Sequence, residues 1–257
     1  MKGSLFIIAF LFTVKSFACS CDTPGIIEKY LKADFVAVAK ITKVYSNEGE
    51  AETYKSDIQI DELYKGEALK SIYVYGRSDG EMGSSCAIFI PENTRLIVYA
   101  RKNEEGKYGI GMCSGLVYLN DKSVIQLDKQ RKELQILNTF KANGLNSAPK
   151  LSFWNNELRN RGLSDSLDRF KSLRLDKSFG IYAMSFNSDL TIKNVEVLSG
   201  YNDSVDAQLI SILKNCIWGK QMNIRGDIHP EKRKQLIGIY FYEEERGNPS
   251  FLSQFYL

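Results

Sequence analysis

The first eighteen residues decide the chemistry in which the rest of this chain folds. Lys2 gives a positive start, Leu5 to Val14 is an almost unbroken apolar run, and Ser16-Phe17-Ala18 is a small-x-small cleavage signature. That order is the order of a secretory signal peptide at residues 1–18, so the mature chain is expected to begin at Cys19. The apolar run is too short to anchor the chain across a hydrocarbon layer of about 30 Å. Export places all five cysteines, Cys19, Cys21, Cys86, Cys113 and Cys216, in an oxidising compartment where disulfides persist. The odd count leaves at least one of them outside an intramolecular bridge, and arithmetic does not choose the pairs. Cys216 falls on the apolar face of an expected helix, where a buried free thiol acts as a small hydrophobe.

Charge narrows the function classes. Loss of residues 1–18 removes Lys2 and Lys15 and no acid, which takes the formal net charge from +3 to +1. Basic and acidic side chains are interspersed as on a solvated surface, and no basic stripe is present, so a nucleic-acid partner is not expected. No second apolar run approaches spanning length, so the mature chain is expected to carry no transmembrane segment.

Hydrophobic periodicity divides the mature chain. Residues 35–41 and 53–60 read as strands, the second alternating with period two, and 72–75 and 95–100 continue the pattern. Gly-containing turns at 65–67, 78–80 and 105–107 separate them. Short strands at this spacing predict a closed or nearly closed antiparallel barrel, preceded by a helix over 25–31. Further on, Leu134, Leu137 and Phe140 lie at helical spacing, the cluster 143–149 is the strongest breaker, and 153–175 reads as amphipathic helix. The last third reads strand (181–186), strand (192–198), helix (203–216, capped by Asp203 or Ser204), strand (236–242). The expected division is a signal peptide at 1–18, a barrel at 19–127, a helical connector and linker at 128–164, a small α+β domain at 165–245, and a tail at 246–257.

The N-terminal part resembles the netrin-like module of the tissue inhibitors of metalloproteinases over residues 19–120. Cys19-Ser20-Cys21 follows the expected cleavage site, Tyr30 to Lys40 resembles the helix-then-strand entry, and Ser85-Cys86 and Met112-Cys113-Ser114 supply two later cysteines. The resemblance implies an all-β, OB-type barrel stapled by Cys19–Cys86 and Cys21–Cys113, with Cys216 left free. It also implies a mechanism. The α-amine of Cys19, with a pKa of about 7.7–8.0 and so partly deprotonated near neutral pH, would chelate a protease zinc together with the Cys19 carbonyl. Such a wedge fills the open coordination position of a catalytic zinc, with Ser20 entering the specificity pocket.

The C-terminal part, about 165–245, resembles the TonB carboxy-terminal domain. Gly180 to Phe186, Ile192 to Gly200, Asp206 to Leu209, Trp218-Gly219-Lys220 and Ile237 to Phe241 carry the resemblance, in β-β-α-β order. It implies a binding module at the periplasm or surface of a Gram-negative bacterium.

Catalytic chemistry is sparse. His229, in the turn-like run before Pro230, is the only histidine, which removes any two-histidine zinc site and offers a catalytic triad a single base. No phosphate-binding glycine motif is present. Asp57, Asp61 and Glu62 are neighbouring carboxylates on a solvated strand. The expected protein is therefore not an enzyme and holds no cofactor or metal of its own. It is an exported protein-binding protein, in its sharper form a metalloprotease inhibitor acting through Cys19. The alternative is a cell-envelope structural or assembly protein, including a lipoprotein acylated on Cys19, without inhibitory activity.

Overall fold

A computed structural model describes residues 21, 25–49, 51–81, 83–145, 153–155, 162–220 and 233–255. Its N-terminal part comprises α1 (Ile26–Lys32), β1 (Phe35–Val44), β2 (Thr53–Lys65), β3 (Ser71–Tyr75), β4 (Arg95–Lys102), β5 (Tyr108–Ile110) and β6 (Val117–Tyr118). Strand order β1-β2-β3-β5-β4, with β4 pairing back onto β1, closes a five-stranded barrel; β6 adds to β4. All of its pairings are antiparallel except β3 with β5. This closed barrel is consistent with the OB type expected from the sequence. β2 runs past the expected end at Ile60 to Lys65 because two bulges against β1, near Val36 and Val38, break the alternation of 61–65 without ending the pairing.

Two apolar runs, 35–39 in β1 and 96–100 in β4, are buried without alternation, because both faces of these strands are covered. Phe35, Ala37, Ala39, Leu96, Val98 and Ala100 fill the barrel interior together with Tyr54, Ile72, Val74 and Ile110. Val36, Val38, Ile97 and Tyr99 point the other way, into a second core. That second core also takes Ile26, Ile27, Tyr30 and Leu31 of α1, and Ile136, Leu137 and Phe140 of α2 (Val124–Ala142).

The C-terminal part adds β7 (Phe153–Asn155), α3 (Leu163–Leu167), β8 (Phe179–Phe186), β9 (Ile192–Ser199), α4 (Asp203–Asn215), β10 (Trp218–Lys220), β11 (Lys234–Tyr242) and β12 (Phe251–Ser253). Its main sheet has the order β12-β11-β8-β9, and β7 pairs with β10 apart from it. One face, with Tyr182, Met184, Phe186, Ile237, Ile239 and Phe241, packs on Leu209, Ile212 and Leu213 of α4. The other face contributes Ile181, Leu236 and Tyr240 to the same second core that α1, α2 and the barrel share. Gly238 of β11 lies directly beneath Ile27, so any side chain there would collide with α1.

Several local expectations change. The described parts of 153–175 are a short strand, a short helix and a 3₁₀ turn at 168–170, because β10 recruits 153–155 into pairing. Asn202, not Asp203 or Ser204, caps α4: its extended backbone lets the side chain accept from the Val205 amide at 3.0 Å. Residues after 245 include β12, which pairs on β11 with Leu252 buried, rather than a trailing tail. Most of the expected linker at 143–149 lies outside the described residues; Leu145 packs at the edge of the shared core, and its carbonyl accepts from the Tyr30 hydroxyl at 2.8 Å.

A buried ion pair sits within that core. Lys29 of α1, 8% exposed, donates to Glu133 of α2, fully buried, at 2.5 Å, and Tyr99 of β4 donates to the same oxygen at 2.7 Å. Lys29 also lies over the Tyr99 ring and donates to the Gly115 carbonyl at 3.1 Å. Gly115 adopts a left-handed conformation and presents no Cβ to the lysine stem, which a larger residue would displace. Removing one partner of such a pair strands a buried charge. Lys29→Met is therefore expected to lower unfolding free energy by about 3–5 kcal/mol, read as a drop in the urea midpoint, with much of the loss recovered in Lys29→Met/Glu133→Leu.

Burial acts on the phenols as well. It raises the pKa of Tyr99 and Tyr182 well above the ordinary value and pushes Tyr54 up to about 12. These folded-state values exceed the unfolded value of about 10, so the unfolded chain releases its phenolic protons first. The stabilising contribution is whole below about pH 10 and declines above it. A series of urea titrations should show the midpoint falling steadily between about pH 10 and pH 12, with absorbance at the phenolate band rising cooperatively with unfolding.

Candidate functional site

The end of the barrel at which β3 stops is built to receive a tether. β3 finishes at Tyr75, whose carbonyl accepts from the Ile88 amide at 2.9 Å, which lays the 83–90 loop against the strand. Gly76 makes that approach possible, since a Cβ there would strike the Ile88 backbone. Glu52 ties the same loop from beneath: its carboxylate accepts from the Ser84 amide at 2.8 Å and the Tyr75 hydroxyl at 3.1 Å. The hydrogen bonds from Ser84, then that from Tyr75, hold the Glu52 carboxyl below its usual range. The loop carries Cys86, which is disulfide-bonded.

On the other side, Ile110 of β5 runs parallel to Val74, and the chain leaves through Gly111 into a 3₁₀ turn at Met112–Ser114. Ser114 Oγ accepts from the Gly111 amide at 2.8 Å and fixes this turn. Cys113, within the turn, is bonded to Cys21 across 92 residues of sequence. In chain-entropy terms a loop of this length contributes about 4–5 kcal/mol. Two half-cystines thus flank one strand end, beside three exposed large side chains: Met112 (50%), Phe89 (41%) and Tyr75 (39%).

The remaining sequence candidates fall elsewhere. Cys19 and Ser20 lie outside the described residues, and with them the expected Cys19–Cys86 pairing and zinc-chelating amine. His229 is likewise outside. Cys216 forms no disulfide and is buried at the C-terminal end of α4. The three neighbouring carboxylates are not brought together for chemistry: Asp57 accepts from the Tyr45 hydroxyl at 2.7 Å, Asp61 pairs with Arg95 at 2.5 Å, and Glu62 pairs with Lys141. Among the described residues no cluster of three or more His, Cys, Asp and Glu side chains could hold a metal ion, and no helix is long and apolar enough to cross a membrane.

Sequence reasoning missed Lys29 and Glu133. A signal existed: the apolar stripe of Ile136, Leu137 and Phe140, extended backward at helical spacing, lands on Glu133 and Gln130, both buried. A carboxylate in the stripe of an otherwise apolar helix face demands a buried cation. Glu52 gave no signal, because its partners Ser84 and Tyr75 are brought to it only by the fold.

No protein-family model matches this chain, and no curated protein is significantly similar to it.

Reduction of the tether should be costly. Cys113→Ser is expected to lower stability by about 2–5 kcal/mol in a denaturant titration. In the unsubstituted protein, Cys216 should resist alkylation until the chain unfolds, while non-reducing peptide mapping recovers Cys21 joined to Cys113.

Proposed function

We propose that this chain is an exported protein-binding protein that presents its N-terminal residues, clamped to the barrel end, to a partner. In its specific form the partner is a zinc metalloprotease, engaged by the α-amine and carbonyl of Cys19, with Ser20 directed into the specificity pocket. The observation that carries this reading is the Cys21–Cys113 bond, which fixes the segment beginning two residues after Cys19 to the end of the barrel. In this reading Cys86 is joined to Cys19, the pairing that the netrin-like resemblance implies. A terminus held at two points loses little conformational entropy on binding, which is the condition a short wedge needs. The barrel is read as OB-type and netrin-like, and the C-terminal sheet with α4 as a TonB-like binding module facing the periplasm or cell surface.

The test is to titrate the mature protein, starting at Cys19, against a panel of secreted zinc metalloproteases. Inhibition is expected, and it should be lost when one alanine precedes Cys19 or when the Cys19 amine is acetylated. Either change displaces or removes the zinc ligand and leaves both disulfides in place. No inhibition across the panel, or inhibition indifferent to the added alanine, leaves the tether as a staple of an envelope scaffold.

A further inference from the structure

A second site lies on the barrel wall. The β1–β2 loop, strands β2 and β3, and the β4–β5 turn enclose a cleft of about 700 Å³, within the size range of small-molecule sites. Three tyrosines line it: hydroxyl contacts outside the cleft hold Tyr45 and Tyr75, while Lys43 and Lys55 lie over the Tyr45 ring and Lys107 over that of Tyr73. Tyr45 donates its hydroxyl to Asp57, and the Tyr75 hydroxyl meets Glu52 and Ser84 at 3.1 and 2.8 Å. Lys107 lies over Tyr73 at 5.3 Å from the ring centroid. Gly109 and Gly111 leave the floor bare of side chains.

Three polar groups within the cleft are unengaged. The Ser46 and Thr53 hydroxyls and the Asn103 side-chain NH₂ have no partner among the described residues; Asn103 uses only its oxygen, which accepts from the Lys107 amide at 2.8 Å. The charged groups cancel: Lys55 and Lys107 are matched by Glu48 and Glu105, and Lys107 pairs with Glu105 at 2.9 Å. A polyanion gains nothing from an electroneutral cleft, whereas a single-stranded nucleic acid needs a basic track beside its stacking platforms. Fixed aromatic rings, free hydroxyl and amide groups and no net charge match a ligand with apolar C–H faces and many hydroxyls. Five-stranded barrels closed in this order use the same wall, strands two and three with the flanking loops, to bind oligonucleotides and oligosaccharides.

We infer that this cleft binds a short uncharged oligosaccharide, with Tyr75 as a stacking face and Asn103 and Thr53 as hydrogen-bonding groups. The inference stands on the cleft alone and is independent of Cys19.

The experiment is calorimetric titration of the whole mature protein with neutral hexasaccharides (β-1,4-linked glucose, α-1,4-linked glucose and β-1,4-linked N-acetylglucosamine). A sulfated hexasaccharide and an oligothymidylate serve as charged probes. At least one neutral probe should bind, with an affinity unchanged by added salt and lowered about tenfold or more in Tyr75→Ala. Because Tyr75 also contacts the loop that carries Cys86, Asn103→Ala and Thr53→Val provide the second measurement. Thr53→Val should weaken binding while leaving the melting midpoint and circular dichroism unchanged; Asn103→Ala, which also removes the acceptor of the Lys107 amide, should weaken binding with the circular dichroism unchanged. Binding of none of the neutral probes, tighter binding of a charged probe, or neutral binding unmoved by Asn103→Ala and Thr53→Val would overturn the assignment.

Discussion

The buried contact of Lys29 with Glu133 fixes the register of elements that a shared apolar core already brings together. Taking both charges out of water costs several kcal/mol per ion, and their attraction repays this only when the remaining donors find acceptors. Here the lysine also donates to the Gly115 carbonyl, and Tyr99 of β4 donates a second hydrogen bond to Glu133 Oε1. Burial lowers the Lys29 pKa, and the facing carboxylate opposes that fall. Glu133 Oε2 remains buried with no hydrogen-bond partner among the described residues, so the pair is not optimised for stability alone. What it supplies is position: α1, α2 and β4 have one arrangement in which the lysine, the carboxylate and the phenol all meet. A shift of α1 by one residue would bring Glu28 or Tyr30, neither of them a cation, toward Glu133.

That placement reaches the tether. Cys21 lies shortly before α1, Cys113 shortly before Gly115, so the disulfide and the Lys29–Gly115 hydrogen bond stitch the same two segments together twice. The covalent stitch acts mainly on the unfolded chain by shortening its excursions. The ionic one acts on the native state by selecting a register. Lys65 adds a third contact at the other end of α1, where its ammonium donates to the Tyr30 and Leu31 carbonyls at 2.7 and 3.2 Å and satisfies two of the helix's terminal acceptors. The helix after the tether is thus held at both ends.

How much of this was legible in the sequence depends on whether a residue's role is local. Strand and helix positions were readable because alternation at 53–58 and helical spacing at 134–140 are properties of neighbouring residues. The non-alternating runs 35–39 and 96–100 carried further information: a strand that is apolar on both faces is covered on both faces. That implied a layer outside the barrel, which α1, α2 and the face of the second sheet around Leu236 and Tyr240 supply. The cap of α4 was missed by one residue because Asn202, Asp203 and Ser204 are all competent caps, and only backbone dihedrals distinguish them. β12 was missed because 251–253 is too short for any period to show, and the open edge of β11 decides its fate. Glu52 was unreadable because its partners lie 23 and 32 residues away and converge only when the barrel closes.

The shared core also constrains how the two sheets can act. Ile27 packs over Gly238, and Tyr240 and Ile181 pack in the cluster that holds Tyr99 and Val38. Separating the sheets would expose this apolar surface and the Lys29–Glu133 pair with it, so hinge motion between them is opposed by both the hydrophobic and the electrostatic cost. Two units joined by a flexible linker act as independent binders whose combined strength depends on reach. Two units fused through a core instead hold their surfaces at a fixed spacing, so the barrel end and the C-terminal sheet keep one relative geometry. In such a molecule α2 is structural cement rather than a spacer, which is why its inward face carries Ile136, Leu137 and Phe140 alongside the carboxylate that fixes its register.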